Sequence, residues 1–336
     1  MDVPCVRVTP ADGEATRQRL AESDLIHDEY QISAEAGWLY IPITDPEAVP
    51  EELPVTDWSP PERDRQTTPA DILGFSPSYE RIGDIALLEE ADPDRAREIA
   101  RAIVDSDLPL QTVLNQASKI KGERRVREWE VLAGEGTETV HREYGCAFAL
   151  DLADVYFSPR LATERHRVAE QVRAGEQAFD MFAGVGPFVI PFAKRGATCV
   201  GCDINERAIE YLERNARRNG VTDRMTALCD DVRAVIAGNS AAGGPYLDWA
   251  DRIVMNLPHS ADAFLGHAVS LAGEDCVIHY YDIQHEDDPF GPGERAIREA
   301  VAANETEYTV TVETRRNVRS YAPHELNVCL DVRLER

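Results

Sequence analysis

The segment that decides the fold is Asp180-Met181-Phe182-Ala183-Gly184-Val185-Gly186-Pro187-Phe188, in a chain of 336 residues. It follows a short apolar run that predicts a strand, and Phe188 begins a predicted helix. Gly184 and Gly186 let the backbone turn tightly and approach a ligand where a side chain would collide. The third glycine of the dinucleotide-binding pattern is absent, so this loop gives little reason to expect a pyrophosphate. One such loop alone is a weak signal of a binding site, so the residues around it must show whether a ligand binds there.

The chain around this loop alternates between strand and helix patterns from about residue 151 to its end. Such alternation predicts a parallel sheet covered by helices. We predict an α/β fold with a seven-stranded, doubly wound sheet, whose last two strands are joined by a short connection. This arrangement differs from the symmetrical two-halved dinucleotide fold. The predicted strands are 178–181, 198–203, 225–229, 252–255, 276–281, 308–313 and 327–332.

Acidic side chains follow two neighbouring strands of this predicted sheet. Asp203 ends the second strand, before Ile204 and Asn205, where a carboxylate can accept both hydrogen bonds of a ribose diol. Asp231 follows the third strand, before Val232, and offers a carboxylate near an adenine amino group. Each acid alone could be an ordinary solvated turn residue. Together with the glycine loop they predict a nucleoside-binding edge of the sheet.

Two further segments predict the chemistry. The fourth strand ends in Asn256-Leu257-Pro258, which is either an ordinary turn or a proline-fixed amide suited to the edge of a planar base. Upstream, Ser158-Pro159 predicts a helix start, with Ser158 as the cap. Arg160 and Glu164 then share a helix face, either as a surface ion pair or as a guanidinium orienting a general base.

Charge is distributed unevenly along the chain. The 61 acidic and 35 basic residues give a net charge of −26, which taken alone argues against nucleic-acid partners. The acid surplus also fits adaptation to molar salt, the halophilic hypothesis, which we prefer to a dedicated acidic interaction surface. Cations gather in 119–127, 214–218 and 315–319, either as solvated faces or as phosphate contacts. Their position predicts nucleic-acid binding in spite of the net charge.

The rest of the sequence bears on location and metal binding. The seven scattered cysteines predict buried thiols in a reducing cytoplasm, and Cys199 and Cys202 would point to opposite faces of a strand. We expect no signal peptide and no membrane span. The His, Cys and Asp residues show no ligand spacing, so no fixed metal site is expected.

The N-terminal half predicts two smaller α/β or α+β domains. Residues 1–44 predict a small α/β module, and 45–70 a proline-rich acidic linker. Residues 71–157 form a predicted middle domain, with a strand at 82–88 and a helix from Pro93 capped by Asp92. The predicted catalytic domain is 158–336.

The glycine loop with Asp203 and Asp231 resembles the class I S-adenosylmethionine-dependent methyltransferases. Adding 122–127, 155–164, 256–260 and Ser320-Tyr321-Ala322-Pro323, nearly the whole chain resembles the archaeal and eukaryal tRNA (guanine-37-N1)-methyltransferases. The resemblance implies S-adenosylmethionine as cofactor and tRNA as partner. The first module would dock on the tRNA elbow, while the other two domains grip the anticodon arm.

The resemblance also implies residue roles. Glu164 would be the general base and Arg125 the cation at guanine O6, although Arg127 is an open alternative. Asn256 would hold the guanine, Tyr156 and Pro258 would wall its pocket, and Arg160 would orient the site. The cofactor would contact Phe182, Gly184, Gly186, Asp203, Ile204, Asn205, Asp231, Val232 and Asn256.

Alternatives to this function stay open at the level of sequence. A related branch transfers the aminocarboxypropyl group of the same cofactor in wyosine synthesis, but it lacks the asparagine present here as Asn256. Other targets are an exocyclic guanine nitrogen, cytosine, a protein or a wyosine precursor, and a non-catalytic tRNA-binding protein is a third class. We expect a monomer without an obligate protein partner.

Overall fold

The computed structural model describes residues 2–63, 66–117, 127–241, 244, 246–304 and 307–336. The chain forms two compact units, Met1–Thr68 and Pro69–Arg336. None of the helices in these described ranges combines the length and apolar character that a membrane span needs.

The first unit is a small antiparallel sheet with one helix in its described residues. Its elements are β1 (Val3–Val8), α1 (Gly13–Glu22), β2 (Ser33–Glu35), β3 (Trp38–Pro42) and β4 (Val55–Trp58), in the sheet order β2-β3-β1-β4. β4 lies inside the stretch that we predicted as a linker. It pairs with β1 through Cys5 and Thr56, and Trp58 stacks on Tyr40 with ring centroids 3.9 Å apart. The proline-rich segment therefore returns to complete the first sheet instead of leaving it at residue 44.

The second unit begins with a mixed sheet in the order β5-β6-β7-β8. Its elements are α2 (Pro69–Leu73), β5 (Glu80–Ile82), β6 (Ile85–Leu88), α3 (Pro93–Asp105), β7 (Thr112–Gln116) and β8 (Trp129–Ala133). The single strand predicted at 82–88 is instead a hairpin that turns at Gly83, which has a φ of +59°. α3 begins as predicted, because Asp92 accepts hydrogen bonds from the backbone amides of Asp94 and Arg95.

The predicted seven-stranded sheet is present in the described residues, in the order β13-β12-β11-β14-β15-β17-β16. Strands β11 to β15 pair in parallel, and the β16–β17 hairpin adds antiparallel strands at one edge. The order reverses beside β11, where doubly wound sheets open a crevice for ligands. The strands are β11 (Gln177–Asp180), β12 (Thr198–Asp203), β13 (Met225–Cys229), β14 (Ala250–Met255), β15 (Ala272–His285), β16 (Thr309–Ala322) and β17 (Glu325–Glu335).

Helices cover both faces of this sheet. Ala178 and Phe179 are neighbours on β11 but belong to two separate buried apolar clusters, as expected when both faces are covered. The helices are α4 (Ala162–Glu170), α5 (Val189–Lys194), α6 (Glu206–Arg218), α7 (Val232–Ile236), α8 (Leu265–Leu271) and α9 (Gly291–Ala303).

A further hairpin, β9 (Glu138–Glu143) and β10 (Cys146–Asp151), packs against α6. Asn215 of α6 accepts a hydrogen bond from the Ala149 amide at 2.7 Å and donates to its carbonyl at 2.9 Å. Asn219 makes the same pair of bonds to Ala147 at 2.9 and 2.8 Å. Four helical residues rise about 6 Å and two strand residues about 7 Å, so the two spacings match. We call this contact the amide ladder.

Candidate active site

A cavity of about 1410 Å³ opens at the carboxyl ends of β11, β12, β13 and β14. Nearly all of the side chains predicted to bind a cofactor or a base meet there. The predicted residues that line it are Tyr156, Arg160, Phe182, Gly184, Asp203, Ile204, Asn205, Asp231, Val232, Asn256 and Pro258. Gly186 and Glu164 are not among its lining residues, and Arg125 lies outside the described residues.

The two loop glycines have different tasks. Gly184 has a φ of +52°, and a Cβ added to it would meet no atom within 4 Å in the described chain. Gly186 has a φ of +91°, but its added Cβ would lie 2.4 Å from Cδ1 of Leu212 and 2.9 Å from Cδ1 of Ile190. Gly184 therefore allows close approach to a ligand, whereas Gly186 allows close packing of the loop against α6.

Asp203 fixes the shape of this edge. Its Oδ2 accepts from the Gly184 amide at 2.8 Å and its Oδ1 from the Asn205 amide at 2.9 Å. Burial raises the pKa of this carboxyl above its ordinary value. Each carboxylate oxygen can accept more than one hydrogen bond, so capacity remains for a ribose diol. Asp180 lies behind the loop, where burial raises its pKa to about 7.

Asp231 and Asn205 also serve as helix caps. Asp231 caps α7 through the Arg233 amide at 2.9 Å, and the Arg233 guanidinium lowers the pKa of its carboxyl. Asn205 caps α6 and donates to the Asp154 carbonyl at 2.8 Å. Asn205 is buried, so its side chain holds the cavity wall in place.

The turn after β14 is fixed from two sides. The Pro258 carbonyl accepts from the Ile283 amide at 3.2 Å, which joins the turn to β15. The His259 ring lies 3.0 Å from the hydroxyl of Tyr321, and both residues line the cavity. Asn256 thus stands on a braced strand end beside the glycine loop.

The start of α4 differs from the prediction. Pro159 begins a 3₁₀ turn, and α4 itself begins at Ala162. Ser158 contributes its carbonyl to Arg165 at 3.0 Å, and its side chain forms no cap bond within the described chain. The 3₁₀ turn rotates Arg160 away from Glu164, and Arg160 instead forms an ion pair with Glu80. Arg160 therefore does not orient Glu164.

Glu164 is held by residues that the sequence did not indicate. Its side chain is 3% exposed. Arg167 donates to Oε2 at 2.9 Å and to Oε1 at 2.7 Å, and the Tyr281 hydroxyl donates to Oε1 at 3.0 Å. Nε of Arg316 lies 2.8 Å from Oε2. Only Arg167, three residues further along the same helix, could have been found from spacing.

Within the predicted basic stretch 119–127, Arg127 is the cation that lies inside the described residues. It lines the cavity, donates to Oε1 of Gln116 at 2.6 Å and lies 5.3 Å from the ring centroid of Trp129. Residues 118–126, which include Arg125, lie outside the described residues.

Comparison with known proteins decides the family. The TRM5/TYW2 methyltransferase domain matches residues 139–311, the TYW2 N-terminal domain 65–137 and the tRNA methyltransferase 5 N-terminal domain 5–51. The tRNA (guanine(37)-N(1))-methyltransferase Trm5b of Pyrococcus abyssi is 41% identical over 98% of both chains. The chain belongs to the TRM5/TYW2 methyltransferase family.

Other members of this family are also similar to the chain. The Trm5b enzyme of Methanocaldococcus jannaschii is 33% identical over 99% of both chains. The crystal structure of Pyrococcus abyssi Trm5b superposes with a TM-score of 0.71 and 38% identity, over 99% of this chain and 100% of that one. A complex of aTrm5 with tRNALeu gives a TM-score of 0.70 and 31% identity, over 98% and 99%. The Methanocaldococcus jannaschii tRNA(Phe) (4-demethylwyosine(37)-C(7)) aminocarboxypropyltransferase is 30% identical over 77% of this chain and 98% of its own.

Methyltransferases of this family use S-adenosylmethionine, and the cavity fits that cofactor. Gly184 leaves open space at a positive φ, and Asp203 presents a carboxylate on the cavity wall. The apolar ring of Phe182 lines the same wall. A nucleoside needs these features: a close backbone approach, an acceptor for its diol and an apolar surface for its base.

The predicted phosphate-binding patches are partly neutralised by acids. In the patch at 315–319, Arg315 pairs with Glu294 at 2.5 Å, Arg316 contacts Glu164 and Arg319 lines the cavity. In the patch at 214–218, Arg214 pairs with Glu138, and Nη1 of Arg217 lies 3.8 Å from Glu213. Within the patch at 315–319, Arg319 is the arginine that lines the cavity.

Proposed function

We propose that the protein transfers the methyl group of S-adenosylmethionine to N1 of guanosine 37 in tRNA. The observation that carries this function is the single cavity that joins the nucleoside-binding edge, at Gly184 and Asp203, to Asn256 and Tyr156. Relatives with this named activity match the chain over nearly its full length, which supports the same reaction here.

The chain's residues divide the work. When bound, S-adenosylmethionine supplies an electrophilic methyl group on its sulfonium. Gly184 and Asp203 hold its nucleoside part, while Asn256 offers a donor pair and an acceptor to the guanine edge. Tyr156 and Pro258 wall the base pocket. Glu164 accepts the proton of guanine N1, and a cation, Arg125 or Arg127, stabilises the charge that spreads to O6.

Glu164 must reach guanine N1 to act as the base. The side chain of Glu164 is buried, and its Oε2 lies 2.8 Å from Nε of Arg316 and accepts from Nε of Arg167 at 2.9 Å. Arg316 is 41% exposed, whereas the other partners, Arg167 and Tyr281, are largely buried. Exchange of Arg316 from the carboxylate to a tRNA phosphate leaves Arg167 as the partner of Oε2 and opens one acceptor position on that oxygen for the proton. Arg160, paired with Glu80, is then a residue of the cavity rim.

The finer parts of the proposal concern tRNA docking and the solvent. The first unit docks on the tRNA elbow, and residues 69–336 grip the anticodon arm. The protein acts as a monomer in the cytoplasm. The acid surplus of the chain suits it to high salt, so shape and base stacking contribute more to tRNA affinity than counterion release does. A shallow dependence of tRNA affinity on salt is the matching observation, and a steep log–log slope would contradict it.

Nucleoside mass spectrometry tests the function. Purified protein is incubated with S-adenosylmethionine and a tRNA transcript carrying guanosine 37, and the digested nucleosides are analysed. We expect N1-methylguanosine, and none from a transcript with adenosine 37. Glu164→Gln should reduce the rate about 100-fold, the scale of a lost general base, with cofactor affinity unchanged. Absence of N1-methylguanosine with the wild-type protein would refute the proposal.

Aminocarboxypropyl transfer is a second candidate, favoured by the match of residues 65–137 to the TYW2 N-terminal domain. The same digest distinguishes it when the tRNA carries 4-demethylwyosine at position 37, the base in the name of the related transferase, because the two transferred groups differ in mass. The relatives that match nearly the full length of the chain carry the methyltransferase name, whereas the aminocarboxypropyltransferase matches 77% of it, which argues for methyl transfer.

A further inference from the structure

A continuous chain of buried and partly buried polar groups leads away from Glu164 across the sheet. Arg167 donates through Nη1 to Oδ2 of Asp331 at 2.5 Å and through Nη2 to Oδ1 at 3.1 Å. Oδ1 of Asp331 lies 2.6 Å from Nδ1 of His279, whose Nε2 lies 2.7 Å from Arg252. Arg252 in turn pairs with Glu176 at 2.9 Å. This buried relay connects α4, β17, β15, β14 and the start of β11.

The relay has one consistent protonation pattern. Arg252 can only donate, so Nε2 of His279 must accept and Nδ1 must carry the proton to Asp331. Burial lowers the pKa of His279, which keeps its ring neutral. Burial alone would raise the pKa of Asp331, but hydrogen bonds from His279 and Arg167 outweigh it and hold that pKa below its ordinary range. Asp331 is thus a fixed anion behind Arg167.

A metal ion is a poor explanation for this cluster. His279, Cys329 and Asp331 lie close enough together to share one. However, Arg167 and Arg252 already bond to Asp331 and His279, and their two guanidinium groups would repel a cation. The polar groups of this cluster are therefore hydrogen-bond partners of one another and not ligands of a metal ion.

We propose that Arg167 and Asp331 are positioning residues for the methyl transfer, in which Asp331 fixes Arg167 and Arg167 fixes the carboxylate of Glu164. The inference rests on the proposed function, in which Glu164 is the general base. The guanidinium of Arg167 bonds both oxygens of Glu164 and both oxygens of Asp331. A planar fork between two carboxylates fixes the direction of each, which a lysine ammonium could not do.

The relay differs from a surface ion pair in its burial and its anchoring. Asp331 is 1% exposed and His279 is fully buried, so neither can relax toward water. Once Arg316 leaves Oε2, the carboxylate of Glu164 still has Arg167 and Tyr281 to hold it. A base that keeps its direction after one partner leaves is ready to take the N1 proton without a further search.

Substitutions that change the charge of Arg167 or Asp331 distinguish a positioning role of these residues from a role in stability alone. The groups that face Glu164 are Arg167 from α4, Tyr281 from β15, Arg316 from β16 and Cys329 from β17, and Asp331 from β17 lies behind Arg167. Arg167→Gln removes a positive charge, so the deprotonated carboxylate is less favoured and the ascending limb of the pH–rate profile moves to higher pH. Asp331→Asn removes a negative charge, so the same limb moves to lower pH.

The experiment measures steady-state and single-turnover formation of N1-methylguanosine against pH, which give kcat, KM for tRNA and the rate of the chemical step, together with cofactor affinity and thermal unfolding for each variant. We expect kcat to fall about 10- to 100-fold in Arg167→Gln with KM nearly constant, as for a misplaced catalytic group. Arg167→Lys keeps the charge but loses the fork. It should leave the pH limb near its wild-type position while kcat still falls. The matched control is Arg195→Gln, because Arg195 pairs with Glu170 on the surface at the far end of α4.

Each outcome of the experiment either supports or overturns the inference. Opposite shifts in Arg167→Gln and Asp331→Asn support the inference. An active wild-type protein whose variants lose rate only in proportion to their folded fraction, with unshifted profiles, overturns it. If Arg167→Gln does not fold, Arg167→Lys and Asp331→Asn decide in the same way. A wild-type protein that forms no N1-methylguanosine refutes the proposed function instead, which keeps the two failures distinct.

Discussion

Replacing Asn215 by alanine should destabilise the second unit strongly. Asn215 is fully buried and makes three hydrogen bonds, from and to Ala149 and to the carbonyl of Val185 in the glycine loop. The alanine variant leaves an amide and two carbonyls buried without these partners. Each orphaned group costs about 1–3 kcal/mol, so we expect a loss of about 3–5 kcal/mol in the free energy of unfolding.

Urea denaturation followed by circular dichroism measures this loss, and calorimetry measures cofactor affinity in the folded variant. Affinity should also fall, because Val185 lies between Gly184 and Gly186. The matched control is Asn219→Ala, whose bonds to Ala147 are only partly buried and should cost about 1–2 kcal/mol. A loss below about 1 kcal/mol for Asn215→Ala, or one equal to that of Asn219→Ala, would refute the reasoning.

The remaining predictions concern thiols, glycines and pH. A thiol reagent should modify exposed Cys229 quickly and the other cysteines only on unfolding, since burial raises, for example, the pKa of Cys199 to about 12. Gly186→Ala should lower unfolding stability more than Gly184→Ala, which should chiefly weaken cofactor binding in calorimetry. Asp180→Asn should stabilise the protein against urea at neutral pH but not in acid: the raised pKa of Asp180, about 7, means that wild-type stability is lost as pH rises through that value.

The seven-stranded sheet could be predicted because local sequence patterns determine its strands and helices. Its strands alternate with helices along the sequence. Asp203 ends one strand and Asn256 comes directly after another, so both could be placed at the edge of the sheet. The hairpin at Gly83 was missed because the apolar run from Ile82 to Leu88 reads as one strand. β4 was missed because prolines surround its four residues and its pairing partner, β1, is distant in sequence.

The environment of Glu164 could not be predicted, for a different reason. Spacing placed Arg160 on the same face, but the 3₁₀ turn changes the rotation per residue before α4 begins. Of the partners found, Arg167 lies on α4 itself, whereas Tyr281 and Arg316 come from β15 and β16. His279 meets Asp331 only through the register of β15 with β17, which no local pattern specifies. Local spacing thus offered Glu164 as the candidate base, while long-range register supplied much of what holds its carboxylate.

The amide ladder has a consequence for the behaviour of the chain in a crowded solution. An open strand edge presents unpaired amides and carbonyls that can recruit a strand from another molecule. At Ala149 and Ala147 of β10, Asn215 of α6 and its C-cap residue Asn219 fill those positions with side-chain amides instead. A helix therefore closes this edge against strand addition. Loss of the ladder would put the protein at risk of self-association as well as of unfolding.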